Sequence, residues 1–296
     1  MPDHVSTPDG RPLEILTGGA SDGFPLLFHG GTPSAAVPYD AMSRTAEQAG
    51  LRLVTYSRPG YGASPPRPAG AAAVLADDVA DSVAILDALG LGDFVTLGWS
   101  GGGPRALACA ALLPDRCRAA VSLAGVAPYD AEGLDWTAGM GEENVRDFEL
   151  AARGREALLP VVEEEVAGLA EITADQLVEG LGDLTDEVDA AALTGAFADY
   201  LAAGFRHACV QGSAGLLEDN LQLMRPWGFD VGDIRVPVGV WQGAHDRMVP
   251  FSHGQWLGAR VPGAGVHLLD DEGHLSLVHR LPEMFAELRE LAGPTG

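Results

Sequence analysis

Apolar residues in the first part of this chain fall in short runs bounded by glycine-rich turns. Glu14–Thr17 and Pro25–Phe28 are strand-like, and Gly18-Gly19 between them predicts an N-terminal hairpin. Beyond them, strand-like runs alternate with segments whose apolar residues recur at helical spacing. Tyr39–Ala49 reads as a helix, Arg52–Tyr56 as a strand, and Ala71–Leu89 as a helix with Leu75, Val79, Val83 and Leu86 on one face. Phe94–Leu97 is the next strand, followed by a helix from Gly102 to Leu113 that Pro114 stops, and by the apolar run Ala119–Ala124. Strands separated by helices need crossover connections, which predicts a parallel sheet.

Past Tyr129 the alternation stops. Glu142–Asn220 carries acidic, alanine-rich helical patterns with no strand signal. The earlier style returns with strand Val236–Trp241, helix Ser252–Ala259, strand Val266–Leu269 and helix Pro282–Leu291. The predicted fold is α/β: residues 1–128 and 232–296 form a core with a mostly parallel central sheet flanked by helices, and residues 129–231 form an inserted helical cap. Glu163-Glu164-Glu165 within the insert reads as a solvated helix face.

Composition narrows the function classes. Hydrophobic residues make up 47% of the 296, ample for a packed core. A formal net charge of −24 repels phosphate backbones and anionic lipid, so the expectation is a small-molecule substrate, with no nucleic-acid or membrane partner. No segment approaches the ~20 apolar residues that span a bilayer, and Met1-Pro2-Asp3-His4 lacks a positive start and an apolar run, which reads as a cytoplasmic protein, monomer or homodimer. Cys109, Cys117 and Cys209 have no CxxC spacing and read as core thiols. All 18 basic residues are arginine. Without lysine there is no Schiff base, Ser-Lys dyad or P-loop. No H-E-x-x-H or comparable spacing occurs, and neither a metal nor a cofactor is expected.

Gly98-Trp99-Ser100-Gly101-Gly102 fits G-x-S-x-G, but so does Gly19-Ala20-Ser21-Asp22-Gly23. Context separates them: Ser21 lies between two hairpin strands, whereas Ser100 sits where a strand runs into a helix, with small residues two places either side. Such a turn lifts the serine oxygen above the sheet and puts the Gly101 N–H at a helix N-terminus, where negative charge is favoured. A second donor is expected from Phe28-His29-Gly30-Gly31-Thr32-Pro33, from Gly31 first and Thr32 next. His29 itself reads as a loop brace. A serine hydroxyl needs a histidine to take its proton and an acid to orient that histidine. Asp246 and His274 each follow the end of a strand, and in a parallel sheet those ends share one edge. The order Ser, Asp, His also suits the arrangement. His245 and Asp270 or Asp271 are the alternatives.

Through His29-Gly30-Gly31, the Ser100 turn, Gly243-x-x-Asp246 with Val249-Pro250, and Gly273-His274, the chain resembles the α/β-hydrolase superfamily, in both core segments and not in the insert. Ser57-Arg58-Pro59-Gly60-Tyr61-Gly62-x-Ser64 resembles the family's loop after an early strand and reads as structural. The resemblance implies a serine hydrolase with the triad Ser100, Asp246 and His274 acting through an acyl-enzyme, because family members that open epoxides or haloalkanes use aspartate as nucleophile. Ester or lactone hydrolysis is the first expectation. An aminopeptidase whose cap carboxylates (Glu142, Glu143, Glu149) hold a substrate amine is the alternative, as is a small-molecule receptor without turnover. Trp99, Tyr129, Trp136 and Met140 are the candidate pocket residues.

Overall fold

The runs around Leu26–Phe28, Val95–Leu97, Ala119–Leu123 and Val238–Trp241 have both faces buried, which is the environment of inner strands in a parallel sheet covered on each side. The computed structural model describes residues 3–68 and 73–293. Its strands are β1 (Asp3–Ser6), β2 (Pro12–Gly19), β3 (Phe24–His29), β4 (Leu51–Tyr56), β5 (Phe94–Trp99), β6 (Cys117–Leu123), β7 (Val238–Gly243) and β8 (Gly265–Leu269). They form one sheet in the order β1-β2-β4-β3-β5-β6-β7-β8. β2 is antiparallel to both its neighbours, and every pairing from β4 onward is parallel.

Helices α1 (Asp40–Gln48), α2 (Asp78–Ala88) and α3 (Gly103–Leu112) are crossovers in the first core segment. The insert between β6 and β7 contributes α4 (Glu142–Arg153), α5 (Arg155–Leu169), α6 (Ala174–Gly180), α7 (Glu187–Ala192), α8 (Gly195–Ala208) and α9 (Ala214–Leu223). α10 (Phe251–Arg260) and α11 (Leu281–Ala292) complete the second core segment. Period-two alternation divides the strands between two cores. Leu26, Phe28, Val95 and Leu97 pack with Met42 of α1 and Phe285 of α11. Leu27, Val54 and Val240 pack on the other side with Leu107 of α3 and Leu257 of α10.

The strand-helix alternation and the helical insert are as read from the sequence, with two corrections. β2 and β3 are not a hairpin: β4 lies between them, and β2 instead pairs with the short β1. Gly19, at φ +70, turns the chain out of β2, so that Phe24 starts beside Leu51. The helix expected over 71–89 begins only at Asp78, after a 3-10 turn at Leu75–Asp77 with Val74 extended; residues 71 and 72 lie outside the described residues. Leu75, Val79 and Leu86 are buried, as their spacing requires.

The insert has its own small core, in which Leu158, Val162, Leu216, Leu217 and Leu221 gather around Tyr61 of the loop after β4. Gly60 in that loop, at φ +90, presses so close to α9 that a Cβ there would lie 2.6 Å from the Gly215 nitrogen. All three cysteines are buried free thiols. Among the described residues no helix is long and apolar enough to cross a membrane.

Candidate active site

β5 ends at Trp99, and the chain reverses through a 3-10 turn, Ser100–Gly102, into α3. Ser100 takes φ +55, a left-handed conformation that costs a residue with a Cβ about 1 kcal/mol or more and persists only where its surroundings enforce it. The enforcing contacts are those expected of the flanking glycines. A Cβ on Gly98 would overlap the Gly102 carbonyl, and one on Gly102 would overlap the His29 carbonyl. Ser21, from the other G-x-S-x-G copy, is exposed in the turn between β2 and β3.

The turn after β3 lies against this serine: a Cβ on Gly31 would be 3.4 Å from Ser100 Cβ. Its peptide planes are set by a buried arginine. Arg58 donates from Nη1 to the Gly30 carbonyl and from Nη2 to the Gly31 carbonyl, each at 2.6 Å. Because N–H and C=O of a trans peptide point oppositely, the N–H groups of Gly31 and Thr32 face away from Arg58. Arg105 donates from Nη1 to the Gly101 carbonyl at 2.6 Å and so fixes the Gly101–Gly102 peptide. Both guanidiniums converge on Asp219 of α9, which also accepts from Thr32 and Tyr61. Burial opposes charge on Asp219, but Arg105 and Arg58 outweigh it and hold the carboxyl down at about 2. The loop read as structural thus carries the residue that shapes the turn beside Ser100.

Asp246 follows β7 and is 4% exposed. Its Oδ1 accepts from the Met248 and Val249 N–H groups at 2.9 and 2.7 Å, and its Oδ2 accepts from Gln242 Nε2 at 2.8 Å and from His274 Nδ1 at 2.8 Å. His274 follows β8 and is 2% exposed. Burial disfavours its charged form, but the charge and hydrogen bond of Asp246, with Asp189 behind, more than compensate and raise its pKa. The Asp246 bond commits Nδ1 as donor and leaves Nε2 as the basic nitrogen. Among the described residues neither His274 Nε2 nor Ser100 Oγ is hydrogen-bonded, and both residues line one cavity. Trp99 packs its ring on the imidazole at 5.8 Å between centroids.

The alternatives are elsewhere. His245 is exposed and paired with Asp186, and Asp270 and Asp271 are exposed. His29 is fully buried between Tyr56 and Cys109, and burial holds its pKa down at about 3, so it stays neutral and braces the turn.

Asp189, a buried residue of α7, escaped sequence reading. It accepts from the backbone N–H of His274 at 2.8 Å, of Leu275 at 2.7 Å and of Ser276 at 2.9 Å. The insert therefore holds the histidine loop as well as the Gly31 turn. Asp189 precedes the apolar run AAAL in EVDAAAL, the one signal available, whereas Asp219 is flanked by Glu218 and Asn220 in GLLEDNLQL and nothing local marks it.

The cavity, about 750 Å³, is roofed by the insert. Ser100, His274, Gly31 and Thr32 are at its floor, and Phe148, Leu177, Leu201 and Leu216 are among its apolar walls. Of the four aromatic and methionine candidates only Trp99 lines it. Tyr129 is 43% exposed, while Trp136 and Met140 are packed in the core beside α10, with Trp136 donating to the Ala127 carbonyl at 2.7 Å. Glu143, Asp147 and Glu165 also face the cavity, with one carboxylate oxygen of each within 4.8 Å of the others, a spacing that would suit a cation. Burial first, and Asp147 next, push Glu165 up to about 9. Glu142 and Glu149 are exposed outside the cavity lining.

A pimeloyl-[acyl-carrier protein] methyl ester esterase of Aromatoleum aromaticum is 29% identical over 247 residues, which cover 82% of this chain and 87% of that protein. Among solved structures, an alpha/beta hydrolase fold protein from Nakamurella multipartita superposes with a TM-score of 0.66 at 27% identity, covering 99% of this chain and 100% of that one. An esterase from Exiguobacterium antarcticum shares the fold at a TM-score of 0.65 and 16% identity, covering 99% of each chain. The model of the alpha/beta hydrolase fold matches residues 26–280, from β3 through the Ser100 turn and Asp246 to the loop after His274, and the chain belongs to that family.

Proposed function

We propose that this protein is a serine hydrolase that cleaves carboxylic esters or lactones of small molecules through an acyl-Ser100 intermediate. The observation that carries the reading is the buried Asp246–His274 hydrogen bond at 2.8 Å, which turns a basic Nε2 to a cavity that Ser100 also lines. Ser100 Oγ attacks the carbonyl carbon as His274 Nε2 takes its proton. Negative charge on the carbonyl oxygen is met by the Gly31 and Gly101 N–H groups, with Thr32 beside them, each such donor lowering the barrier by about 3 kcal/mol. The alcohol leaves with the proton from His274. Water, deprotonated by the same nitrogen, then releases the acid. Asp246 stays ionised and holds the tautomer.

Intact-mass labelling with a fluorophosphonate tests this, followed by p-nitrophenyl ester turnover on the same samples. One adduct on the wild type, none on Ser100→Ala, and many turnovers per molecule are expected. A folded protein without adduct or turnover would overturn the hydrolase reading and favour a small-molecule receptor.

The carboxylates of Glu143, Asp147 and Glu165 favour a second reading, an aminopeptidase that holds a substrate ammonium at that wall. Aminoacyl arylamides turned over faster than matched esters without the amine would select it.

A further inference from the structure

α9 presents three polar side chains toward the site, and two of them are fully engaged. Asp219 accepts from Arg58, Arg105, Thr32 and Tyr61, while Gln222 bonds Arg105 at 2.8 Å and Asp78 at 3.3 Å. Asn220 differs. It is 8% exposed, it lines the cavity with Ser100 and Thr32, and its amide hydrogen-bonds to no other described residue. A carboxamide offers two donors and an acceptor. These atoms open onto the cavity, and a substrate that covers them without offering a partner leaves them unmatched. The helix carries Leu216, Leu217, Leu221 and Leu223 close by, so a leucine at this place would suit the packing. A polar side chain on a cavity wall without a protein partner is matched by what enters the cavity.

Its position is held rigidly. Asp219, the preceding residue, is tied at 2.8 Å to Thr32, whose hydroxyl is what a Cβ on Gly101 would strike. Asn220 is thus one residue along α9 from the carboxylate that holds the Thr32 turn, and it lines the same cavity as that turn. Four lining residues are acidic, Glu143, Asp147, Glu165 and Glu171, and none of the described lining residues is arginine. A substrate carboxylate has no counter-charge there, whereas an uncharged polar group needs only a hydrogen bond.

We infer that Asn220 is a substrate-binding residue that takes, by hydrogen bond, an uncharged polar group (carbonyl, ether, hydroxyl or amide) carried by the ester or lactone close to its scissile bond. This rests on the hydrolase reading and specifies its substrate: a neutral oxygenated acyl or alcohol part rather than plain hydrocarbon.

The test compares p-nitrophenyl hexanoate with analogues in which a chain methylene beyond the α-carbon is replaced in turn by a carbonyl or an ether oxygen. The preference, polar over hydrocarbon in kcat/KM, is read within each protein, so that general losses cancel. Wild type should favour one analogue about tenfold, the size of one good hydrogen bond, and the preference should vanish in Asn220→Leu and be partial in Asn220→Ser. Equal preference in wild type and variants, or hexanoate preferred to every analogue by wild type, overturns the assignment. Circular dichroism and melting identify a misfolded variant, in which case the other one decides. Calorimetric affinities of matched methyl ketones, polar and hydrocarbon, are read on the same proteins. An absent fluorophosphonate adduct would defeat the hydrolase reading alone. Asn220 would still be judged by whether the polar ketone loses about tenfold in affinity on substitution or loses nothing.

Discussion

The Thr32 hydroxyl donates a 2.8 Å hydrogen bond to Asp219, joining the turn beside Ser100 to a helix of the insert. The same carboxylate neutralises Arg58 and Arg105, which in turn hold the carbonyls of Gly30, Gly31 and Gly101. One buried acid from outside the core segments thus stands behind the arginine that sets the Gly31 and Thr32 N–H groups at the proposed oxyanion position, and behind the one that anchors the Gly101–Gly102 peptide across from it.

Removing that acid should damage stability and rate together. Asp219→Ala leaves two buried guanidiniums undercompensated, a loss on the order of 3–5 kcal/mol. Urea unfolding should report it. Asp219→Asn keeps the shape and part of the bonding, so a protein that still folds should show kcat lowered at least tenfold with a smaller change in KM, because the oxyanion donors act on the transition state. An unchanged kcat in a folded Asp219→Asn protein would separate the network from the proposed chemistry.

Acid should loosen the same joint. Asp219 has its carboxyl held at about 2 against an ordinary 3.8, so its stabilisation is present above pH 4 and is lost as pH falls toward 2. The amount is about 2 kcal/mol. Melting temperature followed from pH 6 to pH 2 should fall most steeply below 4, and Asp219→Asn should flatten that limb.

Asp189 and Gly273 form a second joint. A Cβ on Gly273 would strike the Asp189 carboxylate, which accepts three N–H groups of the His274 loop. Gly273→Ala should therefore cost about 2 kcal/mol or more and lower the melting temperature by about 5 °C. Asp189→Ala should lower kcat by shifting His274 while fluorophosphonate labelling slows in parallel. Labelling at the wild-type rate would show that the loop keeps its shape unaided.

The pH profile of kcat/KM should rise with pH, since only neutral His274 can take the Ser100 proton. Its pKa is raised by Asp246, so the midpoint should lie above the ordinary 6.5. Asp246→Asn should move the midpoint down and reduce kcat on the order of 10⁴-fold, through loss of both the charge and the tautomer. Wild-type and Asp246→Asn profiles with the same midpoint would remove His274 from the rate.

How much of this was legible in the chain follows from the range of each interaction. Strands, helices and the turn at Ser100 are local: periods of two and 3.6, a strand running into a helix, and glycines two residues either side suffice to read them. Asp246 and His274 are far from Ser100 in sequence, yet legible, because parallel strands deliver whatever follows them to one edge. Strand neighbours are not local, and nothing in Gly18-Gly19 says that β4 will lie between β2 and β3. Nor does an aromatic residue announce which side of its element will be covered: Trp99 faces the cavity while Trp136 fills the core. Arg58 meets Asp219 across 161 residues and Asp189 meets His274 across 85. Only the packed insert brings such pairs together, since a buried charge or N–H finds its partner through the completed fold and not through its neighbours in the chain.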